Sequence, residues 1–376
     1  MIPIAKPYLT TDEAQAAYDT ILTGWITQGP RVTEFEEKFA SYVGSKYAVA
    51  VSNCTTALHL SMIVAGIKSG DEVICPSMSY IATANSIKYV GAIPVFAEVG
   101  EDYNIDVIHA EKLITPKTKA ILIVHQIGFP ADIDAFKALC KKYNLKLIED
   151  AACAVGSSYK GAKIGSHSEL VCFSFHPRKV ISTGDGGMIT TNNENYYNRL
   201  KLLRQHGMSI NDRVRHNSDK VLLEDHLEVG YNYRMTDIQA AVGIKQLEKL
   251  DWLVEERRKI GKYYLEKLSD IPNIRLPKEN KDINSNFQSF SIYLKPDCKI
   301  SRNELMQQLL DKGISTRRGI MTTHRTTAYT EYCKDLELPI SEDACDRSIL
   351  IPLFVPMKKE EIDMVISTFK KLVLSN

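Results

Sequence analysis

Apolar residues along the chain follow two spacings, one typical of helices and one typical of buried strands. Val32, Phe35, Phe39 and Val43 recur at helical spacing and would share one face of a helix. By contrast, Lys119 to His125 (KAILIVH) is a near-continuous apolar run, as expected for a strand covered on both faces. The two patterns alternate through most of the chain. This alternation predicts an α/β fold with a mainly parallel central sheet flanked by helices.

The alternation also places individual elements. The predicted helices of this part are Thr11–Leu22, Val32–Val43, Ala57–Ala65, Ala82–Val90 and Asp134–Tyr143. The predicted strands are Lys46–Val51, Glu72–Cys75, Ile93–Ala97, Lys119–His125, Leu145–Glu149 and Leu170–Phe175. Ligands of such a sheet bind beyond the carboxyl ends of its strands, so polar residues at those ends are the first candidates for a site.

The last third of the chain predicts a smaller domain. A long helix begins at Thr236, where Thr236 and Gln239 form a capping box, and runs towards Leu268 as a bridge between two domains. The later predicted elements are the strands Ser289–Leu294 and Ser348–Leu353, a helix capped by Ser301 and Glu304, and the helix Lys359–Leu374. We expect a large domain of residues 1–250 and a small α+β domain of residues 251–376. The pattern leaves open that the first ten or so residues pack with the small domain.

The charges of the chain nearly cancel, with 47 basic and 46 acidic side chains in 376 residues. This balance does not argue for nucleic acid or an acidic membrane surface as a partner. The apolar runs are too short for a spanning helix, and the N-terminal residues lack the pattern of a secretory signal, so a cytoplasmic location is predicted. The eight cysteines show no CxxC pair and no zinc-type spacing, which predicts core thiols in a reducing compartment and no metal site.

Two short stretches could each hold part of a flat, anionic ligand. Ser52 to Thr56 (SNCTT) lies between a strand and a helix, where free amides and the helix dipole favour a phosphate. The alternative is an ordinary helix N-cap. Tyr80 follows the strand that ends at Cys75, where an aromatic ring could cover a flat heterocycle. The alternative for this residue is a core tyrosine.

Two charged residues follow predicted strand ends. Lys179 lies in FSFHPRKVISTGDGGM, where Pro177 and three glycines allow a sharp turn. An amine held there in a desolvated pocket could form a Schiff base, and the alternative is a surface lysine on a hairpin. Asp150 follows the strand LKLIE. A carboxylate buried there would need a cation such as a protonated pyridine nitrogen, and the alternative is a helix N-cap.

Taken together, these motifs resemble a known family. FSFHPRKVISTGDGGM, with EDAACAVG before it and GYNYRMTDIQAAVGIKQL after it, is similar to the DegT/StrS-type nucleotide-sugar aminotransferases. The similarity extends to GWITQGPRVTEFE, VSNCTTALHL, GDEVICPSMSYIATANSI, PADID and RRGI, and spans nearly the whole chain in the family's order. It implies the fold-type-I aminotransferase scaffold with pyridoxal 5'-phosphate as cofactor.

The resemblance also implies a role for each residue that matches the family's motifs. Lys179 would form the Schiff base with the cofactor, and Asp150 would pair with its pyridine nitrogen. Tyr80 would stack on the ring. The phosphate would be held by Cys54, Thr55, Thr56 and Ser174, with Asn232 reaching the phosphate in a partner subunit. The chain departs from the common pattern at Cys153, where many relatives carry Gln or His near the ring's phenolic oxygen, and at Asp185, where Glu is more usual.

The substrate side of the site is less specified. The candidates for substrate contact are His176, Arg178, His206, Arg234 and His324. His176 could equally bond the backbone, since it precedes a proline at a strand end. Other basic side chains that could serve a diphosphate through charge-assisted bonds are Lys6, Arg31, Arg204, Arg317 and Arg318.

The implied reaction moves an amino group, with L-glutamate as donor, onto a nucleotide-diphosphate keto-sugar at C3 or C4 of a deoxyhexose. The amino-sugar would serve surface polysaccharide, lipopolysaccharide or secondary-metabolite synthesis. A homodimer with shared sites is implied, because Asn232 would complete the other subunit's site. A related dehydratase branch replaces the lysine with histidine, whereas this chain keeps Lys179.

Two other classes of function compete with this interpretation. One is a non-catalytic relative that binds the cofactor or a nucleotide-sugar for regulation, and the presence of both Lys179 and Asp150 argues against it. The other is a nicotinamide-dependent sugar oxidoreductase. That class needs a GxGxxG turn after the first strand, and this chain has none there.

Overall fold

The structure is built around a seven-stranded sheet. The computed structural model describes residues 1–210 and 218–374, and elements are numbered over those residues. The strands are β1 Tyr47–Val51, β2 Glu72–Pro76, β3 Ile93–Ala97, β4 Thr118–Val124, β5 Lys146–Asp150, β6 Ser158–Tyr159, β7 Ala162–Lys163, β8 Leu170–Ser174, β9 Gly187–Thr191, β10 Ile274–Arg275, β11 Ile283–Asn284, β12 Phe290–Leu294, β13 Arg317–Arg318 and β14 Ser348–Ile351.

Several of the described helices begin after a residue whose side chain accepts from a free backbone amide. The described helices are α1 Thr11–Leu22, α2 Pro30–Val43, α3 Cys54–Val64, α4 Ala82–Tyr89, α5 Val107–Lys112, α6 Ile133–Tyr143, α7 Glu194–Leu203, α8 Asp237–Glu248, α9 Leu250–Leu268, α10 Arg302–Asp311, α11 Pro339–Arg347 and α12 Lys359–Leu374. Capping boxes start α1, α3, α8 and α10, through Thr10, Asn53, Thr236 and Ser301 respectively.

The strand order of the large sheet is β1-β9-β8-β5-β4-β2-β3. Strands β8, β5, β4, β2 and β3 run parallel to one another, and β9 is antiparallel to both β1 and β8. The predicted α/β class with a mainly parallel sheet is therefore confirmed. Strand β9 was not predicted, because its sequence GMITT follows directly on the glycine-rich turn.

Helices cover both faces of this sheet, as the strand pattern requires. Along β1, Ala48 and Ala50 belong to one apolar cluster, whereas Val49 and Val51 belong to another. Helices α2, α6 and α8 contribute to the first cluster, and α3, α4 and α7 contribute to the second. Polar groups at the carboxyl ends of the parallel strands therefore lie at one edge of a sheet whose two faces are filled.

The predicted long helix from Thr236 to Leu268 is wrong in one respect. The structure has two helices, α8 and α9, joined at Lys249. This residue has φ −98° and ψ −5° and ends the first helix. Apolar residues continue across the junction, so the sequence pattern alone does not show the break.

The later part of the chain forms a four-stranded antiparallel sheet in the order β10-β12-β14-β13. The first residues of the chain pair with the segment just before β13: the Ile2 amide donates to the Gly313 carbonyl at 2.7 Å, and the Ser315 amide donates to the Ile2 carbonyl at 2.9 Å. A third sheet, β11-β6-β7, connects Ile283 to Tyr159. Within the described residues, no helix is both long and apolar enough to cross a membrane.

Candidate active site

The candidate site lies where β5 and β8 end, side by side and in parallel. Asp150 closes β5 and is in register with Cys172 of β8. Lys179 comes five residues after the end of β8, in a turn that returns the chain to β9. Because parallel neighbours end at the same edge of the sheet, the two residues are brought to one place, as the sequence predicted.

A network of backbone bonds holds the turn that carries Lys179. The Phe175 amide donates to the Gly186 carbonyl at 2.8 Å, and the Lys179 amide donates to the His176 carbonyl at 2.8 Å. Gly184 has φ +83°, a conformation that side chains with a Cβ rarely adopt. The turn is thus closed on itself and directs one amine towards the end of β5.

The Lys179 amine is hydrogen-bonded to a neighbouring thiol. Its Nζ donates to Cys153 Sγ at 3.1 Å. Burial acts to lower the pKa of Lys179, but the neighbouring Cys153, Cys54 and Asp150 outweigh burial, and the pKa is raised. The alternative of a surface lysine does not fit these surroundings.

Asp150 is a buried carboxylate with neutral hydrogen-bond donors. Its Oδ1 accepts from the Ala152 amide at 3.1 Å, and its Oδ2 accepts from the Thr83 hydroxyl at 2.9 Å. Burial raises the pKa of Asp150, and these two bonds and the charge of Lys179 oppose the rise. The residues after Asp150 form turns, so the alternative of a helix N-cap is wrong.

The start of α3 presents free donors close to these residues. Asn53 caps the helix by accepting from the Thr56 amide at 2.9 Å, as the N-cap alternative supposed. The amides of Cys54 and Thr55, at the first two helical positions, have no partner within the helix. A Cβ at Gly187 would lie 2.5 Å from the Asn53 carbonyl carbon, so only glycine lets β9 approach this turn so closely.

Two more residues predicted to bind the cofactor, Ser174 and Tyr80, belong to segments next to this site. Ser174 is the last residue of β8, is buried, and accepts from the His176 amide at 3.4 Å. Tyr80 is 66% exposed, so the alternative of a core tyrosine is wrong. It precedes α4, which also carries Thr83, the partner of Asp150.

Asn232, His206 and Arg234 lie together in a neighbouring segment. Asn232 is exposed, and its backbone forms a β-bridge with Gln205. The amide of His206, the residue after Gln205, donates to the Tyr231 carbonyl at 2.8 Å. Arg234 pairs with Val51 at the end of β1. None of these three contacts joins the segment directly to Lys179.

The remaining substrate candidates differ in how free their side chains are. His176 accepts from the Arg178 amide through Nδ1 at 3.2 Å, which is the backbone bond left open by the sequence. Burial and the charges of Arg178 and Lys179 lower the pKa of His176. His324 is buried, with Nδ1 2.5 Å from the Ser77 hydroxyl and Nε2 3.0 Å from a Glu342 oxygen. Both ring nitrogens of His324 are therefore used within the chain.

The other basic candidates also separate into two groups. Arg204 is buried, pairs with Glu36 and donates to the Ala50 carbonyl at 2.7 Å, so its role is structural. Arg317 is exposed on β13, and burial together with the charge of Arg178 lowers the pKa of Arg317. Arg178 and Arg317 therefore lie near each other and near His176.

Three residues of the site were missed by sequence reasoning. Thr83 bonds Asp150, and Asn286 Nδ2 donates to the carbonyls of Cys153 at 2.9 Å and Val155 at 2.8 Å. Gln288 Nε2 donates to the Arg178 carbonyl at 2.9 Å. Asn286 and Gln288 come from more than a hundred residues later in the chain. No local signal marks such contacts, although Thr83 lies only three residues after Tyr80.

The sequence model of the DegT/DnrJ/EryC1/StrS aminotransferase family matches residues 7–370. The chain belongs to this family. Members of the family are pyridoxal-phosphate-dependent sugar aminotransferases, so this protein is an enzyme, an aminotransferase that uses pyridoxal phosphate.

Individual relatives agree with this membership. An uncharacterised protein of Methanocaldococcus jannaschii, MJ1066, is 36% identical over 379 residues, which cover 100% of this chain and 98% of that protein. Among solved structures, Helicobacter pylori PseC, an aminotransferase of pseudoaminic acid biosynthesis, has a TM-score of 0.92 at 27% identity, with 100% of both chains covered. Spr1654 of Streptococcus pneumoniae, named as a sugar aminotransferase and solved in a PMP-form, has a TM-score of 0.93 at 28% identity, also with 100% of both chains covered.

The residues of this DegT-family chain fit the cofactor of the family. Asp150 is a buried carboxylate whose hydrogen-bond partners among the described residues are neutral, and a protonated ring nitrogen would give it a charged hydrogen-bond donor. The free amides at the start of α3 suit a phosphate. Lys179 offers an amine close enough to both Asp150 and Cys54 to interact with each electrostatically.

Proposed function

We propose that this enzyme transfers an amino group from L-glutamate to a nucleotide-linked keto-sugar, at C3 or C4 of a deoxyhexose. The product would be an amino-sugar for surface polysaccharide, lipopolysaccharide or secondary-metabolite synthesis. The observation that carries the proposal is the meeting of the Lys179 amine and the buried Asp150 carboxylate at the ends of β8 and β5. Membership of the aminotransferase family supports it.

In this proposal Lys179 both holds the cofactor and moves the proton. When bound, pyridoxal phosphate supplies the carbonyl that carries the amino group and a ring that withdraws electrons from the bond being broken. Lys179 Nζ, released by the amino donor, takes the proton from the donor's α-carbon as general base and returns it as general acid. Its attachment to a closed turn keeps Nζ within reach of that carbon.

Asp150 would keep the ring nitrogen protonated. A carboxylate in a site of low dielectric interacts with a cation far more strongly than it would in water. Thr83 and the Ala152 amide, at 2.9 Å and 3.1 Å, orient the two carboxylate oxygens. Tyr80 would cover one face of the ring, and Cys153 would face its edge beside Lys179.

The phosphate would bind at the start of α3. The amides of Cys54 and Thr55 and the hydroxyls of Thr55, Thr56 and Ser174 are the proposed donors. Asn232, exposed in the single chain, would reach the phosphate in a partner subunit. The enzyme would therefore be a homodimer, and we place it in the cytoplasm.

The nucleotide-sugar would bind to the exposed basic residues near the site. Arg178 and Arg317 are exposed, lie near each other, and could bind a diphosphate. His176 is close enough to both arginines and to Lys179 for their charges to lower its pKa. Arg234 and His206 belong to the Asn232 segment and would act with the partner's site. His324 stays a prediction for substrate contact, although its ring nitrogens already have partners.

The proposal is tested by the full reaction. The cofactor-loaded enzyme is incubated with L-glutamate and a panel of UDP-, dTDP- and GDP-linked 3-keto and 4-keto deoxyhexoses, and products are identified by mass. We expect one amino-sugar and an equal amount of 2-oxoglutarate, neither of which forms with Lys179→Ala. Lys163→Ala, a surface lysine paired with Asp251, is the matched control and should remain active. If neither 2-oxoglutarate nor an amino-sugar forms with any sugar of the panel, the proposal is contradicted.

A further inference from the structure

The side chains of Lys179 and Cys153 place an amine and a thiol within hydrogen-bonding distance of each other. Lys179 Nζ lies 3.1 Å from Cys153 Sγ. Both residues are partly buried rather than sealed in the core, so a small oxidant can reach them. A covalent bond between the two atoms would need only a modest approach of side chains that already touch.

The backbones on both sides of this contact are fixed by the same segment of the chain. Asn286 Nδ2 donates to the Cys153 carbonyl at 2.9 Å, and Gln288 Nε2 donates to the Arg178 carbonyl at 2.9 Å. The Asn286 amide also donates to the Ser157 hydroxyl at 3.0 Å. This arrangement keeps sulfur and nitrogen together without help from a bound ligand.

Cys153 differs from the buried core cysteines of the chain in its surroundings. Burial raises the pKa of Cys54, Cys75, Cys140 and Cys172, as expected for inert core thiols. Cys153 instead is partly exposed and has an amine as its hydrogen-bond partner. A cysteine beside a lysine is in the kind of surroundings in which thiols react with peroxide.

We propose that Cys153 and Lys179 form a peroxide-responsive covalent switch, in which a bond between Sγ and Nζ blocks the amine. The proposal rests on the proposed role of Lys179 as the amine that holds the cofactor. It adds a modification site to that residue. An enzyme in this state could neither hold the cofactor through Lys179 nor move a proton with it.

The chemistry balances with hydrogen peroxide as the oxidant. The Cys153 thiolate attacks one peroxide oxygen, the O–O bond breaks, and the Lys179 ammonium beside it gives its proton to the departing hydroxide, so that sulfenic acid, water and the neutral amine form. The neutral Lys179 amine then attacks the sulfur, the S–N bond forms, and the S–O bond breaks with loss of water. Two thiols of a reductant reverse the step: they give back the Cys153 thiol and the Lys179 amine and become a disulfide.

The surroundings of Lys179 favour the second step once the first has occurred. Cys153 contributes to raising the pKa of Lys179, whereas burial acts to lower it. Oxidation to the neutral sulfenic acid removes the contribution of the thiolate, and the balance shifts towards the neutral amine. The neutral amine is the form that attacks sulfur.

The test is a direct search for the bond. The full-length protein, both cofactor-free and loaded with pyridoxal phosphate, is treated with hydrogen peroxide, digested without reductant and mapped by mass. In the cofactor-free protein we expect the peptides of Cys153 and Lys179 joined, about 2 Da lighter than their sum, and separated again by dithiothreitol. Cys153→Ser should lose this species, and Cys333→Ser, at another partly buried cysteine, should keep it.

The outcomes separate the switch from the proposed function. Oxygen added to Cys153 with no linked peptide would overturn the switch, as would a linked species that persists in Cys153→Ser. If Lys179 holds the cofactor, loading should protect it, and peroxide should abolish cofactor binding by the free protein until thiol is added. A link that forms equally with and without cofactor would retain the switch and contradict the proposed role of Lys179.

Discussion

The role assigned to Asp150 is inferred from its burial and its hydrogen-bond partners. The residue is 6% exposed, and the pKa of Asp150 is raised because burial disfavours its charge. Thr83 and the Ala152 amide satisfy its oxygens but bring no charge. A buried carboxylate at a strand end, with only neutral hydrogen-bond donors, is suited to a cationic hydrogen-bond partner, and this is the basis for assigning it to the cofactor's ring nitrogen.

We predict that Asp150→Asn folds but is a poor enzyme. The amide keeps the size and one acceptor of the carboxylate, yet it cannot stabilise a protonated ring nitrogen. We expect kcat to fall by roughly 10²–10³-fold, the range found when one electrostatic group of an active site is removed. Steady-state kinetics measure the fall, and near-native activity would contradict the role of Asp150. Thr83→Val, which keeps the charge of Asp150, should cost less than Asp150→Asn.

Individual site residues could be predicted to different degrees. Lys179 and Asp150 were found because each follows a strand, and strand ends are set by local sequence. His324 and Arg204 could not be resolved, because partners that are distant in sequence decide their roles. His324 contacts Ser77, 247 residues away, and Arg204 contacts Glu36, 168 residues away. Periodicity and motif spacing carry no information about pairs so far apart.

Helix α1 illustrates how an element is anchored by one acidic side chain. Glu13 closes the capping box with Thr10 and also accepts from Lys249 at 2.8 Å and from Gln246 at 2.9 Å. Burial acts to raise the pKa of Glu13, but these hydrogen bonds outweigh it and lower the pKa to about 2. The side chain thus ties α1 to α8 and to the junction at Lys249.

We predict that Glu13→Gln destabilises the protein in a pH-dependent way. The folded pKa of about 2 lies below the ordinary value of 4.5, so the charge of Glu13 stabilises the fold above about pH 4.5. This contribution is lost as the pH falls from about 4.5 towards 2. At neutral pH the loss should be roughly 3–4 kcal/mol, because the pKa falls from 4.5 to about 2 and each pKa unit corresponds to about 1.4 kcal/mol.

Urea unfolding across this pH range measures the effect. The gap between wild type and Glu13→Gln should be constant down to about pH 4.5 and should narrow below it. Glu37→Gln, at an exposed position on α2, is the matched control and should stay within about 0.5 kcal/mol of wild type. A gap that does not change with pH would show that Glu13 does not act through its charge.

Most elements could be predicted from apolar spacing, and the exceptions have physical causes. Helix α3 begins three residues earlier than predicted, because Asn53 rather than Thr56 supplies the cap. The short strands β6, β7 and β11 are two residues each and exist only through their pairing with one another. A segment of two residues has no periodicity to detect.

A buried cation organises the part of the molecule that follows residue 250. Arg257 of α9 donates to the carbonyls of Phe287 at 3.0 Å, Gln288 at 2.6 Å and Leu353 at 3.2 Å. Burial lowers the pKa of Arg257 to about 10, so the residue is still charged at neutral pH. It fixes the segment whose side chains Asn286 and Gln288 hold the backbones of Cys153 and Arg178. The division into domains 1–250 and 251–376 stays a prediction, but the site depends on contacts across it.

We predict that Arg257→Met destabilises the whole molecule. The change leaves three carbonyls without their donor, and buried polar groups that lose a partner cost about 1–3 kcal/mol each. Allowing for partial relaxation, we expect the free energy of unfolding in urea to fall by roughly 3 kcal/mol. Lys262→Met, at an exposed position of the same helix, should change it by less than about 0.5 kcal/mol. Equal effects of the two variants would rule out this structural role of Arg257.

The central claim is that Lys179 is the amine that carries the cofactor, and borohydride trapping tests it most directly. The protein is loaded with pyridoxal phosphate, reduced with borohydride, digested and mapped by mass to find the lysine that retains the cofactor. We predict the label on Lys179, with none in Lys179→Ala and no trapping after prior treatment with L-glutamate. A label on another lysine, or a protein that traps no cofactor, would contradict the assignment of this site.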